Sequence, residues 1–439
     1  MEKDSFPFSA SSAVKKTVMK TDFPRGKKEF AELSAMLADV FIPSHACLRE
    51  VFLRDFTLDP AFRPEFSRVI HRKGRIVANV SILEKTVRIG RARFRMGGIG
   101  AVTCAKEYRG QNLPSICMED ALATMRRAGM SLSFLLCGQA LSGYYPRFGY
   151  TETWPEQALK LETRHLKDLQ STLRVRSYKA ADAAALADLY NAAAAATSGS
   201  VIRDARRFHF GVLREDLLAT SKADPQGCVH VFERSTGVPP VRRGRSSNQH
   251  NPRAYVVCRA GEFWEAGFQP GDDEAASGVL AWLRERCGKD LTLNYLSAAH
   301  PLWKFARRFP HTLKGGMRWS HGGMGAILDV KTFLSALQPE LEARINTEGI
   351  ESEGHLHLVV AGQDHSLILG RAHHTSLMIS THRHILAARV ECTPQALLQM
   401  ALGTLSYEDI PGVKVSGDKA LLKAVFPQAA PNLYRLDYF

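Results

Sequence analysis

The chain has 439 residues, 45% hydrophobic and 23% charged, an ordinary balance for a soluble globular protein, and it is too long for one compact core. Domain sizes favour about three domains. No uninterrupted apolar run approaches the roughly twenty residues of a membrane helix, and residues 1–19 lack the apolar stretch of a secretion signal, so the expected location is cytoplasmic, with no membrane association. The formal charge of +14 is diffuse and partly gathered at Arg242, Arg243, Arg245 and Arg253, without a compact basic helix. Dedicated nucleic-acid recognition is therefore not expected.

Residues 1–28 are polar and mixed in charge and read as a loose tail. Helical spacing over 28–39 and 44–55 is followed by strand-like segments at 68–83 and 86–96. An apolar strand, Gly98-Ile-Gly-Ala-Val-Thr-Cys104, then leads through a basic turn, Lys106-Glu-Tyr-Arg-Gly-Gln-Asn112, into a helix over 113–128 and a short buried strand over 131–137. That order delivers free backbone amides to a helix N-terminus, where a phosphate can bind.

A charged stretch over 163–173 marks a boundary. Beyond it come an alanine-rich helix over 180–196, a segment over 203–213, strands near 229–233 and 254–259, and a helix over 272–287. Between those strands, residues 235–252 are rich in Pro, Gly, Ser and Arg and predict a disordered insertion. A third region opens near Gly323 with a helix over 330–337, strands over 355–360, 366–369 and 376–380, and a helix over 393–402. The chain ends Tyr434-Arg-Leu-Asp-Tyr-Phe439, and so apolar an end predicts docking into the protein.

The eight cysteines are widely spaced and never form Cys-x-x-Cys, which favours buried reduced thiols over a zinc ribbon. Seven histidines fall between His355 and His384, but His373 and His374 are adjacent and would point to opposite faces of a strand. No acidic or thiol ligand set completes a site, so no metal is expected.

The turn Arg109-Gly110-Gln111-Asn112-Leu113-Pro114 and, about thirty residues on, Tyr145-Pro-Arg-Phe-Gly-Tyr150 resemble the coenzyme loop and the tyrosine signature of the GNAT N-acetyltransferases. Asn112 and Pro114 replace residues that family prefers as glycine, or as glycine or alanine. Asn tolerates positive φ, and Pro is accepted in a first helical turn, where its missing N–H has no intrahelical partner.

Over about residues 30–439 the organisation resembles the enhanced-intracellular-survival (Eis) acetyltransferases. The resemblance implies an α/β and α+β protein. Its parts would be a tail (1–28), a GNAT domain (29–162), a second, degenerate GNAT-like domain (163–322) and a sterol-carrier-like C-terminal domain (323–439). It also implies a homohexamer that transfers acetyl from acetyl-coenzyme A to a primary amine of a small molecule or lysine peptide, by direct attack in a ternary complex. By position, Val102, Thr103 and Cys104 would pair with pantetheine, and Arg109, Gly110, Asn112 and Leu113 would form the pyrophosphate turn. Tyr145 would protonate the leaving thiolate, and the carboxylate of Phe439 would accept the amine proton. The departures at Asn112 and Pro114 keep open a second class, a coenzyme-dead homologue that binds a ligand or partner.

Overall fold

A computed structural model describes residues 20–41, 48–218, 227–234, 252–259, 261–316, 322–349, 354–369, 375–378 and 386–438. The chain begins with α1 (Gly26–Phe41), α2 (Leu48–Leu58), β1 (Arg68–Arg72), β2 (Arg75–Ile89), β3 (Ala92–Cys104), α3 (Leu113–Arg127), β4 (Leu132–Cys137) and β5 (Thr151–Glu152). It continues through β6 (Glu156–Glu162), β7 (Leu173–Ser177), α4 (Ala183–Ala193), α5 (Ala205–Leu218), β8 (Val229–Arg234), β9 (Pro252–Arg259), β10 (Glu262–Phe268), α6 (Asp273–Arg284), β11 (Asp290–Asn294), α7 (Pro301–Ala306) and β12 (His311–Gly316). The last part holds β13 (Gly322–Ile327), α8 (Val330–Thr347), β14 (Gly354–Val360), β15 (Gln363–Leu369), β16 (Thr375–Met378), β17 (Leu386–Cys392), α9 (Pro394–Leu402), β18 (Lys414–Gly417) and α10 (Lys419–Val425).

These strands make three sheets in a mixed α/β protein. Their orders are β1-β2-β3-β4-β13-β5, β12-β6-β11-β10-β9-β8-β7 and β16-β15-β14-β17-β18. The apolar spacing of α3 buries Leu113, Cys117, Ala121 and Met125 on one face of the first sheet. On the other face Phe94, Met96 and Phe134 join Phe333 of α8 and Leu397 of α9 in one cluster, with the Phe94 and Phe333 rings 5.1 Å apart. Each such large side chain contributes about 1.5–3 kcal/mol on burial, so the C-terminal region is fastened to the back of the first sheet.

Two strands fall across the boundaries expected from sequence. β6, inside the segment ending at 162, pairs with β11 and β12 in the second sheet. β13, at the opening of the third region, pairs along its length with β4 and also with β5 in the first sheet. Backbone pairing explains the return, because β4 lies deep in the protein and its outer amides and carbonyls need partners. Glycines make the fit possible: a Cβ on Gly323 would overlap the Trp154 ring, and one on Gly325 would press on Thr153 and Phe134.

The expected N-terminal tail is ordered from Lys20 on, with Asp22 bridged to Val69 of β1 and α1 starting at Gly26. Residues 235–251 of the expected insertion lie outside the described residues, and Pro252 opens β9 opposite Glu233. Seven cysteines are free thiols, and Cys47 lies outside the described residues. Among the described residues no group of three or more His, Cys, Asp or Glu is placed to hold a metal, and no helix is long and apolar enough to cross a membrane.

Candidate active site

β3 and β4 run parallel only from Met96 opposite Leu132 to Ile99 opposite Leu135. Beyond that point β4 soon ends, while β3 continues to Cys104 alongside β2. The cause of the divergence is local. The β2–β3 register shifts between Asn79 and Ser81, opposite Ala101, whose φ is 50°. Such a bulge bends and twists its strand. The buried Asn79 amide fixes it by donating to the Ala101 carbonyl at 2.9 Å and to Ser81 Oγ at 3.1 Å. The edge of β3 that turns toward β4 is thus unpaired from Gly100 to Cys104 among the described residues, and it includes half-buried Val102 and buried Thr103 and Cys104. An open strand edge offers main-chain donors and acceptors to an extended polar ligand.

The open edge leads straight into the basic turn. Gly110 has φ 80° and Asn112 has φ 59° and ψ 18°, so Asn112 takes the left-handed conformation expected of it. Pro114 sits in the first turn of α3, as its fixed φ allows. Residues Arg109, Gly110, Gln111 and Asn112 are exposed, and the amides of Gly110, Gln111, Asn112 and Leu113 donate to no described acceptor. The Asn112 side chain does not cap the helix, and its first turn holds no acidic residue. The positive end of the helix dipole is left open to an anion.

A second parallel pair in the molecule sharpens this contrast. α6 bridges β10 and β11 as α3 bridges β3 and β4. There Asp272 caps the helix by accepting from the Ala275 amide at 3.1 Å, and Asp273 and Glu274 occupy the first turn. Asp272 is also ion-paired to Arg253 at 2.6 Å. That turn carries its own anions, so of these two turns the one at Arg109 to Leu113 combines an open strand edge with an uncapped helix.

Across the fork, the chain after β4 makes a 3-10 turn, Tyr145–Phe148, which Gly149 ends at φ 86°, a conformation that favours glycine. Three tyrosines gather here, with the Tyr145 ring edge-on to Tyr144 at 5.0 Å and to Tyr150 at 6.1 Å. Tyr150 meets Ser133 Oγ at 2.6 Å, and that hydroxyl donates to the Gly97 carbonyl. Tyr144 accepts from Ser115 Oγ at 3.4 Å. Tyr145, only 4% exposed, makes no hydroxyl hydrogen bond to a described residue. Burial holds its phenol well above the ordinary range, reinforced by Tyr144, Cys137 and Tyr150. It therefore favours the protonated form, and its hydroxyl can donate a hydrogen bond.

A cavity of about 520 Å³ opens between the first two sheets and the C-terminal segment, lined among others by Leu136 next to Cys137, Trp154, Tyr295, Asn432 and Tyr438. No motif marks these residues, because they come from distant segments. Only the apolar character of the chain end signals Tyr438. The structure thus joins Val102, Thr103, Cys104, Arg109, Gly110, Asn112 and Leu113 in one continuous edge and turn, with Tyr145 near Cys137 at the end of β4. Phe439 lies outside the described residues.

Residues 26–153 match the acetyltransferase (GNAT) domain family. No curated protein matches the sequence. Solved structures resemble the chain over nearly its whole length. A GCN5-related N-acetyltransferase from Kribbella flavida is 19% identical with a TM-score of 0.66, covering 98% of this chain and 100% of its own. One from Anabaena variabilis ATCC 29413 is 15% identical with a TM-score of 0.65, covering 96% and 100%. Eis1 from Mycobacterium abscessus is 14% identical with a TM-score of 0.61, also covering 96% and 100%. At these identities the likeness is one of fold, and the family match over the segment that carries the open edge and turn supplies the chemistry: residues 26–153 are an acetyltransferase (GNAT) domain, and the chain is an acyltransferase.

Proposed function

We propose that the protein is an Eis-like N-acetyltransferase that moves acetyl from acetyl-coenzyme A to a primary amine of a small molecule or lysine peptide, by direct attack in a ternary complex. The observation that carries this reading is the unpaired edge of β3 running without interruption into the uncapped start of α3. Pantetheine would add to the edge through Val102, Thr103 and Cys104. The pyrophosphate would rest on the turn from Arg109 to Leu113, and the thioester would lie at the fork beside Tyr145.

In this reading the amine enters from the cavity at Leu136 and attacks the acetyl carbon, so that a C–N bond forms as the C–S bond breaks. Complete proton transfer from so weak an acid as buried Tyr145 to a thiolate near pKa 8.5 is uphill. The hydroxyl would instead act by hydrogen-bonding the negative charge that grows on sulfur. The amine proton would pass to the carboxylate of Phe439, which follows cavity-lining Tyr438 in the chain. The α6 unit, with its carboxylates at the helix start, would be a degenerate GNAT repeat, and the region around α8 to α10 a sterol-carrier-like domain in a homohexamer located in the cytoplasm.

Isothermal titration with acetyl-coenzyme A, followed by thiol release with amines, tests the reading. Micromolar binding is expected, and Tyr145→Phe should lower kcat by roughly ten- to a thousandfold with an unchanged melting temperature. A protein that binds no coenzyme at millimolar concentration would instead be a ligand-binding homologue.

A further inference from the structure

Tyr295, just after β11, has φ 58°, a left-handed conformation that a bulky side chain avoids. The residue is 40% exposed although it belongs to the cavity wall. The conformation is enforced by the C-terminal segment. Asn432, 8% exposed, donates through Nδ2 to the Tyr295 carbonyl at 2.7 Å, and Ser297 Oγ donates to the Ala430 carbonyl at 2.6 Å. A partly exposed aromatic held in a strained conformation by two hydrogen bonds to the C-terminal segment points to a role in binding.

Its neighbour completes a shaped surface. The Tyr438 ring meets the Tyr295 ring at 6.5 Å and 89°, so the two form a right-angled corner. The Arg435 guanidinium backs Tyr438 at 4.9 Å. Charge is sparse on the described wall, where Glu156 is the one carboxylate and Lys314 the one ammonium. Burial first, then Tyr295 and Glu156, push the Tyr438 phenol up to about 12 against the pull of Arg435, so Glu156 lies toward the Tyr438 end. Beside the Phe439 carboxylate that the attacking nitrogen itself would use, a polyamine or amino sugar with several ammonium groups would find on the described wall one counter-charge, Glu156, and a repelling lysine. An aryl ring would find two aromatic walls in the edge and face arrangement that rings prefer.

We propose that the acceptor is an aromatic primary monoamine, an aryl-alkyl amine whose ring packs into the corner of Tyr295 and Tyr438 and whose amino group reaches past Leu136 to the fork. The proposal rests on the acetyl-transfer reading of the site. The reaction is balanced: the amine nitrogen bonds to the acetyl carbon, the coenzyme sulfur leaves as a thiolate with the C–S electron pair, and the proton lost by nitrogen passes by way of the Phe439 carboxylate to solvent, which protonates the released thiolate.

The test uses the full chain with acetyl-coenzyme A and three amines, 2-phenylethylamine, butylamine and spermidine. The expected kcat/KM for 2-phenylethylamine exceeds that for either other amine by about tenfold or more. Tyr295→Gly removes the ring while suiting the left-handed turn, so the fold should survive, and the ratio should collapse toward one. Equal or better use of spermidine or butylamine by the parent, or a ratio untouched by the substitution, overturns the proposal. If no amine releases thiol, acetyl transfer itself fails, and ligand-observed NMR on the same protein then decides the ring site. Saturation transfer to 2-phenylethylamine that Tyr295→Gly abolishes supports it, and absence of transfer overturns it.

Discussion

Arg203 and Asp437 meet at 2.8 Å with side chains 1% and 0% exposed, which binds the turn Arg435–Asp437 to the segment between α4 and α5. The same guanidinium grips both oxygens of Glu265, at 2.6 and 2.8 Å, and lies over the Tyr190 ring. Tyr190 donates to Asp437, and the Lys85 ammonium of β2 donates to the Asp437 carbonyl. The segment leading to cavity-lining Tyr438 is therefore pinned by residues of both preceding regions.

Replacing Arg203 by Met leaves two buried carboxylates without their cation and should cost about 3–5 kcal/mol in urea unfolding. The acid side carries a second signature. Burial pushes Asp437 up, but Arg203, Lys85 and Arg207 outweigh it and hold the carboxyl below its ordinary range. Its contribution is present above the unfolded pKa of about 3.9 and is lost as pH falls through the lower folded value. Asp437→Asn should weaken that acid limb, and an unchanged limb would assign it to other carboxylates.

Lys85 predicts the opposite end of the pH scale. Burial, with Arg207, lowers its ammonium to about 7 against the pull of Asp437 and Asp59. Between about 7 and the unfolded value near 10.4 the unfolded chain binds more protons than the folded one, so this group makes stability rise with pH across that window. The stability difference between parent and Lys85→Met should change with pH there and level off outside it. A difference constant from pH 7 to 10 would mean that Lys85 titrates normally.

The turn at Asn112 tolerates left-handed backbone because Asn does. Asn112→Val puts a β-branched residue at φ 59°, at a cost of about 1–2 kcal/mol. If the turn holds the pyrophosphate, acetyl-coenzyme A should bind roughly tenfold more weakly, while Asn112→Gly binds like the parent. Calorimetric affinities decide, and equal binding by the Val variant places the pyrophosphate elsewhere.

Gly323→Ala drives a methyl into Trp154, whose ring stands edge-on to Phe134 at 5.5 Å. Overpacking of this kind costs about 1–3 kcal/mol. Because Trp154 also lines the cavity, the acceptor KM should rise while that for acetyl-coenzyme A stays near the parent value. Steady-state kinetics with each substrate varied in turn would show the reverse if Trp154 served the coenzyme.

What could be read along the chain was short-range. The strand, basic turn and α3 follow one another within one stretch, and the conformation of Asn112 rests on its own φ preference. The α2–β4 region is less legible, since the turns at Lys73-Gly74 and at Gly90, all with positive φ, fall inside the strands expected at 68–83 and 86–96. α8 runs ten residues past the expected end at Leu337 because Pro339 is carried inside it. There Arg344 clamps the helix to Glu340 at 2.7 Å and to the Val425 carbonyl at 2.8 Å, outweighing one missing amide. β13 was hidden by its glycines, which are weak strand formers chosen for close approach to Trp154 and Phe134. The cavity residues were hidden by distance, since Trp154, Tyr295 and Tyr438 meet only in three dimensions.

The return of β13 also sets a timetable for synthesis. Cys137 and Met324, in contact across the β4–β13 pair, are 187 residues apart in the chain. At about 5–20 residues per second, β4 leaves the ribosome roughly ten to forty seconds before the strand that covers its edge. Throughout that interval the nascent acetyltransferase domain presents an apolar, half-paired sheet, so it is a substrate for chaperones before it can be an enzyme. A piece cut at residue 153 would remain in that state, and excising the catalytic domain from this protein requires carrying β13 along on a linker.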